Sequence, residues 1–359
     1  MQRAFWQGAI MNWHRQPMLL LVGMCLLWST FYAHAQVPST NGTEFWLTFM
    51  QNSGTPSTYL FLGSDSAATA KIYMGQTLLA TVAIPKDGNV AYPVVAAGAT
   101  MTTSDVVAAG KAIYVTSDRP ITLSLFNTQA QSTDASIVYP VQALGDRYVI
   151  PSYMYYASAN WSSQIAIVAH KDVTIVEITP TATVKRTGGG SRPAGVPYQI
   201  VLNRGDVYQM QTMRAPDDLT GTQIKVVAGG SACSGVAVFS GHQRSTIPFT
   251  SNQTRDHLVE QIPPTRTLGK TFVVPPLAYG TKYVIRVIAS EPATTVTIDG
   301  VATPLAQVGS FTEQTVPAQQ FHTVDADKPV LVAWYAMSWT DGFDLVRGVG
   351  DPFLSLIHI

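Results

Sequence analysis

The sequence has little charge and little cysteine. Charged residues make up 12% of its 359 residues, and 22 basic residues balance 22 acidic ones. A nucleic-acid partner is not expected, because phosphate binding needs a basic patch. The two cysteines are Cys25 and Cys233, and Cys25 lies in a segment that we expect to be removed. A single remaining thiol forms no internal disulfide, so the hydrophobic core must hold the fold together.

The sequence also lacks the motifs of common catalytic and metal sites. It contains no His-Glu-x-x-His, no complete phosphate-binding loop ending in Gly-Lys-Ser/Thr and no Cys-x-x-Cys. The segment Gly229–Cys233 does not match the Gly-x-Ser-x-Gly elbow of serine hydrolases. We therefore expect no enzyme activity, no cofactor and no metal, and we interpret Cys233 as a buried small residue and not as an activated thiol.

The best candidate for chemistry is the stretch Asp256-His257-x-x-Glu260. Two acids and an imidazole could bind a divalent cation or relay a proton. On a strand, however, His257 and Glu260 point to opposite faces, because side chains alternate with a period of two. We therefore favour a structural role for this stretch. The same interpretation applies to the other histidines outside the signal and the last six residues, which are His170, His242 and His322.

The first 35 residues have the layout of an export signal. Met18–Trp28 is an apolar run of 11 residues, preceded by Arg15 and followed by Ala33-His34-Ala35. This is a basic flank, a short apolar core and a small-x-small cleavage site. The run is too short for a membrane-spanning helix, which needs about 20 apolar residues. We predict a mature protein that begins near Gln36, has no transmembrane segment and is secreted or held at the cell surface.

The composition favours short strands joined by turns. Thr, Val, Ile, Tyr, Ser, Gly and Pro are abundant. Apolar and polar residues alternate in Lys282–Ile288 and Thr295–Ile298, and Asp299-Gly300 then predicts a two-residue hairpin. No window keeps an apolar period of 3.6 residues, so helix should be scarce. The candidate for a short helix is the segment 100–110, where Ser104-Asp105 precedes a Val/Ala run.

Internal repeats are the most informative feature of the sequence. Ser117–Leu123 recurs as Ala326–Val332, and Ser234–Phe239 is a looser copy with Gly in place of Pro. Leu144–Pro151 matches Leu268–Pro275 in the same way. A repeat of six or seven strands has the size of a β-sandwich. We predict an all-β fold of about three β-sandwich-like units with little helix; a β-propeller is the alternative.

The predicted domain organisation follows from these repeats. It comprises a signal peptide (1–35), an opening segment (36–57), a first β repeat (58–157), a second (158–279), an incomplete third (280–353) and a tail (354–359). The tail, Leu-Ser-Leu-Ile-His-Ile, resembles the translation of a sequencing adapter. On that interpretation the tail is not native and the chain is a fragment. The alternative is an ordinary short apolar tail.

Aromatic residues gather in two connections between predicted strands. The first group is Tyr148, Tyr153, Tyr155, Tyr156 and Trp161, and the second is Trp334, Tyr335 and Trp339. Exposed clusters of this kind suit sugar stacking or protein hot spots. Buried clusters would instead form the core between adjacent units.

Three stretches of the chain form a recognisable set of motifs. They are Gly42–Phe49, the pair Leu219–Ile224 with Val236–His242, and Asp256–Pro264 followed by Leu268–Lys270. Together they resemble the IgGFc-binding protein amino-terminal domain family, over roughly residues 40–353. The resemblance implies a secreted or surface protein, of a kind that includes bacterial members with adhesion-like arrangements.

The chain departs from the family pattern in its cysteines. In the family a cysteine often precedes the Asp-His pair and another follows the Ser-Gly-His, whereas here Arg255 precedes the pair and no cysteine follows His242. The resemblance therefore carries neither a disulfide nor immunoglobulin binding over to this chain. We expect an adhesin-like binding module for an extracellular protein or glycan. The alternative is a carbohydrate-active enzyme or its accessory domain, marked by two carboxylates about 5 to 10 Å apart in a cleft.

Overall fold

The chain folds almost entirely into β-strands. The computed structural model describes residues 39–96, 98–130, 132–154, 161–228, 235–248, 255–277, 280–337 and 354–356. Helix in these ranges is limited to two 3-10 turns, Val141–Ala143 and Thr265–Thr267. The predicted all-β fold with little helix is confirmed. The predicted signal peptide and Cys233 lie outside the described residues.

The strands form three groups with the same pairing pattern, which we call the first, second and third modules. The first module contains β1 (Gly42–Leu47), β2 (Ser57–Ser64), β3 (Ala68–Met74), β4 (Thr77–Ile84), β5 (Gly88–Pro93), β7 (Ile113–Gln129) and β8 (Ser132–Val138), while β6 (Val106–Ala108) precedes β7 in the chain and pairs with the second module. The second contains β9 (Arg147–Val149), β10 (Ser163–Ala169), β11 (Thr174–Thr179), β12 (Val184–Lys185), β13 (Ser191–Arg192), β14 (Tyr198–Leu202), β15 (Val207–Gln211), β16 (Gln223–Ala228), β17 (Val236–Ser245) and β18 (Asp256–Gln261). The third contains β19 (Gly269–Val274), β20 (Lys282–Ala289), β21 (Thr294–Ile298), β22 (Val301–Leu305), β23 (Phe311–Pro317), β24 (His322–Ala336) and β25 (Leu354–Leu356).

Each module has two antiparallel sheets that share one long strand or its two halves. In the first module the first half of β7 pairs with β1 and β3, which form the first sheet with β4. The second half pairs with β2 and β8, which form the second sheet with β5. In the third module the first half of β24 pairs with β19 and β21, and its second half pairs with β20 and β25. In the second module β16 pairs with β9 and β11, and β17 pairs with β10 and β18. A propeller is not shown by this pairing.

The long strand changes sheets at the repeated proline turn. Pro120 lies within β7 and Pro329 within β24. A proline has no N–H to give to a neighbouring strand, so the ladder is interrupted at both places. Just before each proline, an aspartate accepts a backbone hydrogen bond from the adjacent strand. Asp118 accepts from β3 at 2.7 Å and Asp327 accepts from β21 at 2.8 Å, so the two turns occupy equivalent positions.

A glycine lies at or just before the start of the first strand of each module, and a buried aromatic side chain follows it three residues later. These pairs are Gly42 and Phe45, Gly145 and Tyr148, and Gly269 and Phe272. Each glycine faces the first residue after the change of sheets on the long strand. Gly42–Leu47, predicted as part of an opening segment, therefore pairs as the first strand of the first module. The residue boundaries of the predicted repeats stay a prediction.

The second and third modules each pack on the preceding module through their own second sheet. On β10, Ile165 and Ile167 face the core of their own module, whereas Ala166 and Val168 belong to a core cluster that includes Phe49 of the first module. Alternation along an extended strand explains this division. Because both faces of β10 are covered, the whole strand is buried. The third module packs on the second in the same way.

The predicted short helix over 100–110 is wrong. Val106–Ala108 forms β6, which pairs with β15 of the second module. Asp105 has a φ of 58°, and its carboxylate accepts hydrogen bonds from Arg192 and Tyr208, both at 2.6 Å. These tertiary contacts fix the segment and override the weak local preference for a helix.

Candidate functional site

A row of large side chains crosses the outer face of the first sheet of the first module. Leu78 on β4, Tyr73 on β3, Tyr114 on β7 and Trp46 on β1 occupy directly paired positions on neighbouring strands. Residues between them along each strand, such as Ile72, are buried in the core because side chains alternate. We call these four residues the aromatic row.

The rings of the aromatic row are in contact and partly open to solvent. Trp46 and Tyr114 stack with centroids 4.2 Å apart and an interplanar angle of 23°, and the centroids of Tyr73 and Tyr114 are 5.8 Å apart. Such pairs stabilise one another beyond simple burial. Trp46 is buried, Tyr114 and Tyr73 are half-buried, and Leu78 is 49% exposed. The row therefore opens progressively from β1 towards the sheet edge at β4.

Two charged side chains flank the buried end of the row. The Arg204 guanidinium lies 5.3 Å from the ring centroids of both Trp46 and Tyr114, within the range of a cation–π interaction. The Glu44 carboxylate accepts a hydrogen bond from the indole N–H of Trp46 at 3.3 Å. Burial and the Glu44 carboxylate raise the pKa of Tyr114, so its hydroxyl stays protonated at neutral pH. The site thus combines an apolar surface with hydroxyl groups, a cation and an anion.

The fold itself does not require aromatic residues at these positions. In the second module the corresponding row is Thr179, Gln223 and Val149. In the third module Thr323 and Val273 replace Tyr114 and Trp46. The second and third modules have the same strand pairing with small or polar side chains at these positions. The aromatic row is therefore specific to the first module.

The structure separates the side chains of the stretch predicted as a candidate site. The Asp256 carboxylate accepts hydrogen bonds from the backbone N–H groups of Thr133 and His257. His257 lies beside β17, whereas Glu260 lies beside Asp134 on β8. His257 and Glu260 are therefore not brought together, and the contacts of Asp256 join β18 to β8.

Three further histidines among the described residues are buried, and His242 of β17 lies beside His257 of β18. The three are His170, His242 and His322. The Nε2 atom of His322 contacts the carbonyl oxygen of Pro317 at 2.8 Å, and the Nδ1 atom of His242 accepts a hydrogen bond from the backbone N–H of Arg244 at 3.0 Å. The imidazoles of His322 and His242 are thus occupied by contacts within their own modules.

The two aromatic groups found in the sequence lie mostly inside the protein. Tyr148, Tyr153 and Tyr335 are buried, Trp161 and Trp334 are half-buried, and Tyr155, Tyr156 and Trp339 lie outside the described residues. The hydroxyl of Tyr148 donates to the carbonyl oxygen of Val236 at 2.6 Å, and that of Tyr335 to Ser152 at 2.9 Å. These residues serve the core and the contact between modules, whereas the aromatic row was not among the predicted clusters.

The part of the chain that the structure describes contains no group of three or more His, Cys, Asp or Glu side chains that could hold a metal ion. Asp218 and Glu313 both bind the guanidinium of Arg286, at 2.7 and 2.6 Å, and the three side chains form an ion-pair network.

No helix among the described residues is long and apolar enough to cross a membrane.

Comparison with known proteins gives one family and one curated relative. The family described as IgGFc binding protein matches residues 134–358. The human (Homo sapiens) IgGFc-binding protein is 28% identical over 300 residues, which cover 81% of this chain and 5% of that protein. This chain therefore spans only a small part of the length of that relative.

Among solved structures, an anti-sigma factor domain-containing protein from Clostridium clariflavum aligns over 88% of this chain and 81% of its own, with 8% identity and a TM-score of 0.17. A second anti-sigma factor domain-containing protein aligns over 82% of this chain and 98% of its own, with 9% identity and a TM-score of 0.16. Scores this low do not establish a shared fold.

Proposed function

Because the chain belongs to the IgGFc binding protein family, we propose that it is a secreted or cell-surface binding module, adhesin-like in role, that holds an extracellular protein without catalysis. The observation that carries this proposal is the aromatic row. Tyrosine, tryptophan and arginine are the residues enriched at protein-binding hot spots, and here Tyr73, Tyr114, Trp46 and Arg204 lie side by side. The absence of such residues from the same row of the other modules supports a role beyond folding.

The shape of the site favours a macromolecular ligand. The row lies on an open sheet face, whereas small-molecule sites are concave and enclose their ligand. The name of the human relative makes the Fc part of immunoglobulin G the first protein to test. The half-buried rings of Tyr73 and Tyr114 keep a solvent-accessible part that also suits stacking on sugars, which makes a glycan the second candidate.

The experiment measures binding of the purified chain to immobilised Fc and to a glycan array by interferometry. Tyr114→Ala and Tyr73→Ala should each weaken binding about tenfold or more, which corresponds to about 1.4 kcal/mol. Val273→Ala is the matched control, since Val273 is 55% exposed at the position of Trp46 in the third module. Wild-type protein that binds neither probe, or variants that bind as well as the control, would overturn the proposal.

Two further measurements address catalysis and export. Hydrolysis of a panel of glycosides by the purified chain would favour the carbohydrate-active enzyme instead. Amino-terminal sequencing of secreted material should give a start near Gln36. Residues 18–28 retained in a membrane fraction would contradict the proposed export.

A further inference from the structure

The second sheet of the first module has an outer face that the other described modules leave uncovered. Two directly paired rows cross it: Pro93, Tyr59, Phe126 and Ala135, and then Ala91, Phe61, Ser124 and Ile137. The rings of Phe61 and Phe126 lie 4.4 Å apart, and Ile137 is 49% exposed. None of the residues in the two rows is an Asp, Glu, Lys or Arg. We call this surface the open face.

The corresponding faces of the other two modules are interfaces. Phe61 corresponds to Ala166 on β10 and to Arg286 on β20, which are 0% and 1% exposed. Ala166 belongs to a core cluster shared with the first module. Tyr335, which corresponds to Phe126, belongs to a core cluster shared with the second module. The second and third modules therefore each use this face to pack on the module before them.

This face packs on the preceding module, where it contacts the chain segment that comes just after that module's first strand. Gln164 on β10 donates a hydrogen bond to the carbonyl oxygen of Gln51, shortly after β1, at 2.8 Å. Arg286 on β20 donates to the carbonyl oxygen of Ser152, shortly after β9, at 2.7 Å. The corresponding segment after β19 in the third module is Pro276-Leu277, in which Pro276 is exposed and Leu277 is half-buried.

A second exposed residue marks the same end of the third module. Phe321 immediately precedes β24 and is 68% exposed. The residue that immediately precedes β7 is Ala112, which is fully buried and donates a backbone hydrogen bond to Gly205 of the second module at 3.0 Å. The equivalent corner of the second module contacts the third module. We call Phe321 and the Pro276-Leu277 segment the receiving end.

We propose that the open face of one copy of this chain packs on the receiving end of a second copy, head to tail. The packing repeats the order in which the second module docks on the first and the third on the second. Both surfaces are apolar, so their burial favours association. A heterologous contact of this kind does not close after two copies and extends into a row of copies. Because this contact joins separate copies, the fraction of assembled protein depends on the protein concentration.

The experiment is sedimentation velocity of the full mature chain over a concentration series. Wild-type protein should form species larger than dimers as concentration rises. Phe61→Glu removes the open face and Phe321→Glu removes the receiving end, so each variant alone should stay monomeric. Their equimolar mixture should give a dimer and nothing larger, because each variant keeps the surface that the other lacks. Ile137→Glu serves as a second open-face variant, and far-ultraviolet circular dichroism checks that each variant is folded.

Three results would overturn the proposal. Wild-type protein that stays monomeric at every concentration excludes self-association. Phe321→Glu protein that still dimerises alone indicates a symmetric contact between two open faces. A mixture of the two variants that remains monomeric excludes the head-to-tail contact. Leu78→Glu, on the aromatic row, is the control that should assemble like the wild type, which separates this test from the test of ligand binding.

Discussion

The guanidinium of Arg286 donates a hydrogen bond to the backbone carbonyl oxygen of Ser152 at 2.7 Å, and this contact joins the third module to the second. The same guanidinium binds Asp218 of the second module and Glu313 of the third, and it lies 4.4 Å from the ring centroid of Tyr153. Burial alone would lower the pKa of Arg286, but the two carboxylates raise that pKa above its usual value. Arg286 is therefore a charged residue within an apolar contact.

Replacing Arg286 with methionine should lower the free energy of unfolding by about 3–5 kcal/mol. The variant leaves two carboxylates near the contact without their cation, and breaking a buried ion pair has a cost of this size. Urea denaturation measures the change. Lys282→Met on the same strand is the control, because Lys282 is exposed and its loss should change stability by less than about 0.5 kcal/mol. Equal stability of the two variants would contradict the role assigned to Arg286.

Gly221 of the second module lies directly against Gly309 of the third. It has a φ of 85°, and a Cβ atom at this position would overlap the carbonyl oxygen of Gly309. Gly221→Ala should therefore destabilise the protein by more than the about 1–2 kcal/mol expected for a left-handed alanine. Gly300→Ala isolates that backbone cost, since Gly300 has a φ of 84° and open space around it. A thermal melt that shows the same loss for both variants would exclude the steric contribution.

Asp256→Ala should lower the free energy of unfolding by about 1–3 kcal/mol, because two backbone N–H groups lose their acceptor. Ligand affinity of the folded variant should stay close to that of the wild type, since Asp256 lies on β18 and the aromatic row lies on the first sheet of the first module. Asp325→Ala, at an exposed position on β24, is the control for loss of a carboxylate. A variant that keeps full stability but loses binding would make the Asp256–Glu260 stretch part of a functional site.

Stability should fall as the pH decreases below neutrality. Burial lowers the pKa of His242 to about 3 and that of His257 to about 4, whereas the usual value is 6.5. Between pH 6.5 and these lower values the unfolded chain binds protons that the folded chain does not. Each histidine therefore removes up to about 1.4 kcal/mol of stability per pH unit in this window. Urea denaturation at pH 7, 6 and 5 measures the slope.

Glu260 opposes this effect and provides a control. Burial raises its pKa well above the usual 4.5, so the folded chain holds a proton that the unfolded chain releases as the pH rises above that value. Its contribution is thus present at low pH and is lost as the pH rises. The slope should become shallower in His257→Gln and steeper in Glu260→Gln. Equal slopes in both variants would show that these groups do not control the acid response.

The repeated turn shows how much of the fold could be predicted from the sequence. The similar segments around Pro120 and Pro329 lie at equivalent changes of sheet, because proline and the preceding aspartate impose the same local hydrogen bonding in both places. Gly42–Leu47 was harder to assign. It shares only a glycine and an aromatic residue with the first strands of the other modules, and a strand of this length is defined by its partner and not by its own sequence.

The aromatic row could not be predicted because its members are distant in sequence. Trp46, Tyr73 and Tyr114 each occur between apolar residues in a separate strand, which indicates only that each points away from the core. Their juxtaposition depends on the strand order β4-β3-β7-β1. In this order β7 lies between β1 and β3, although β2 of the second sheet separates those two strands in the sequence. That order is a property of the tertiary fold.

The strand shared between two sheets has a consequence for how the chain bears load. In the first and third modules a single continuous backbone, β7 or β24, belongs to both sheets, so a force that opens one sheet also strains the other. Under tension the first and third modules should therefore each rupture as one unit.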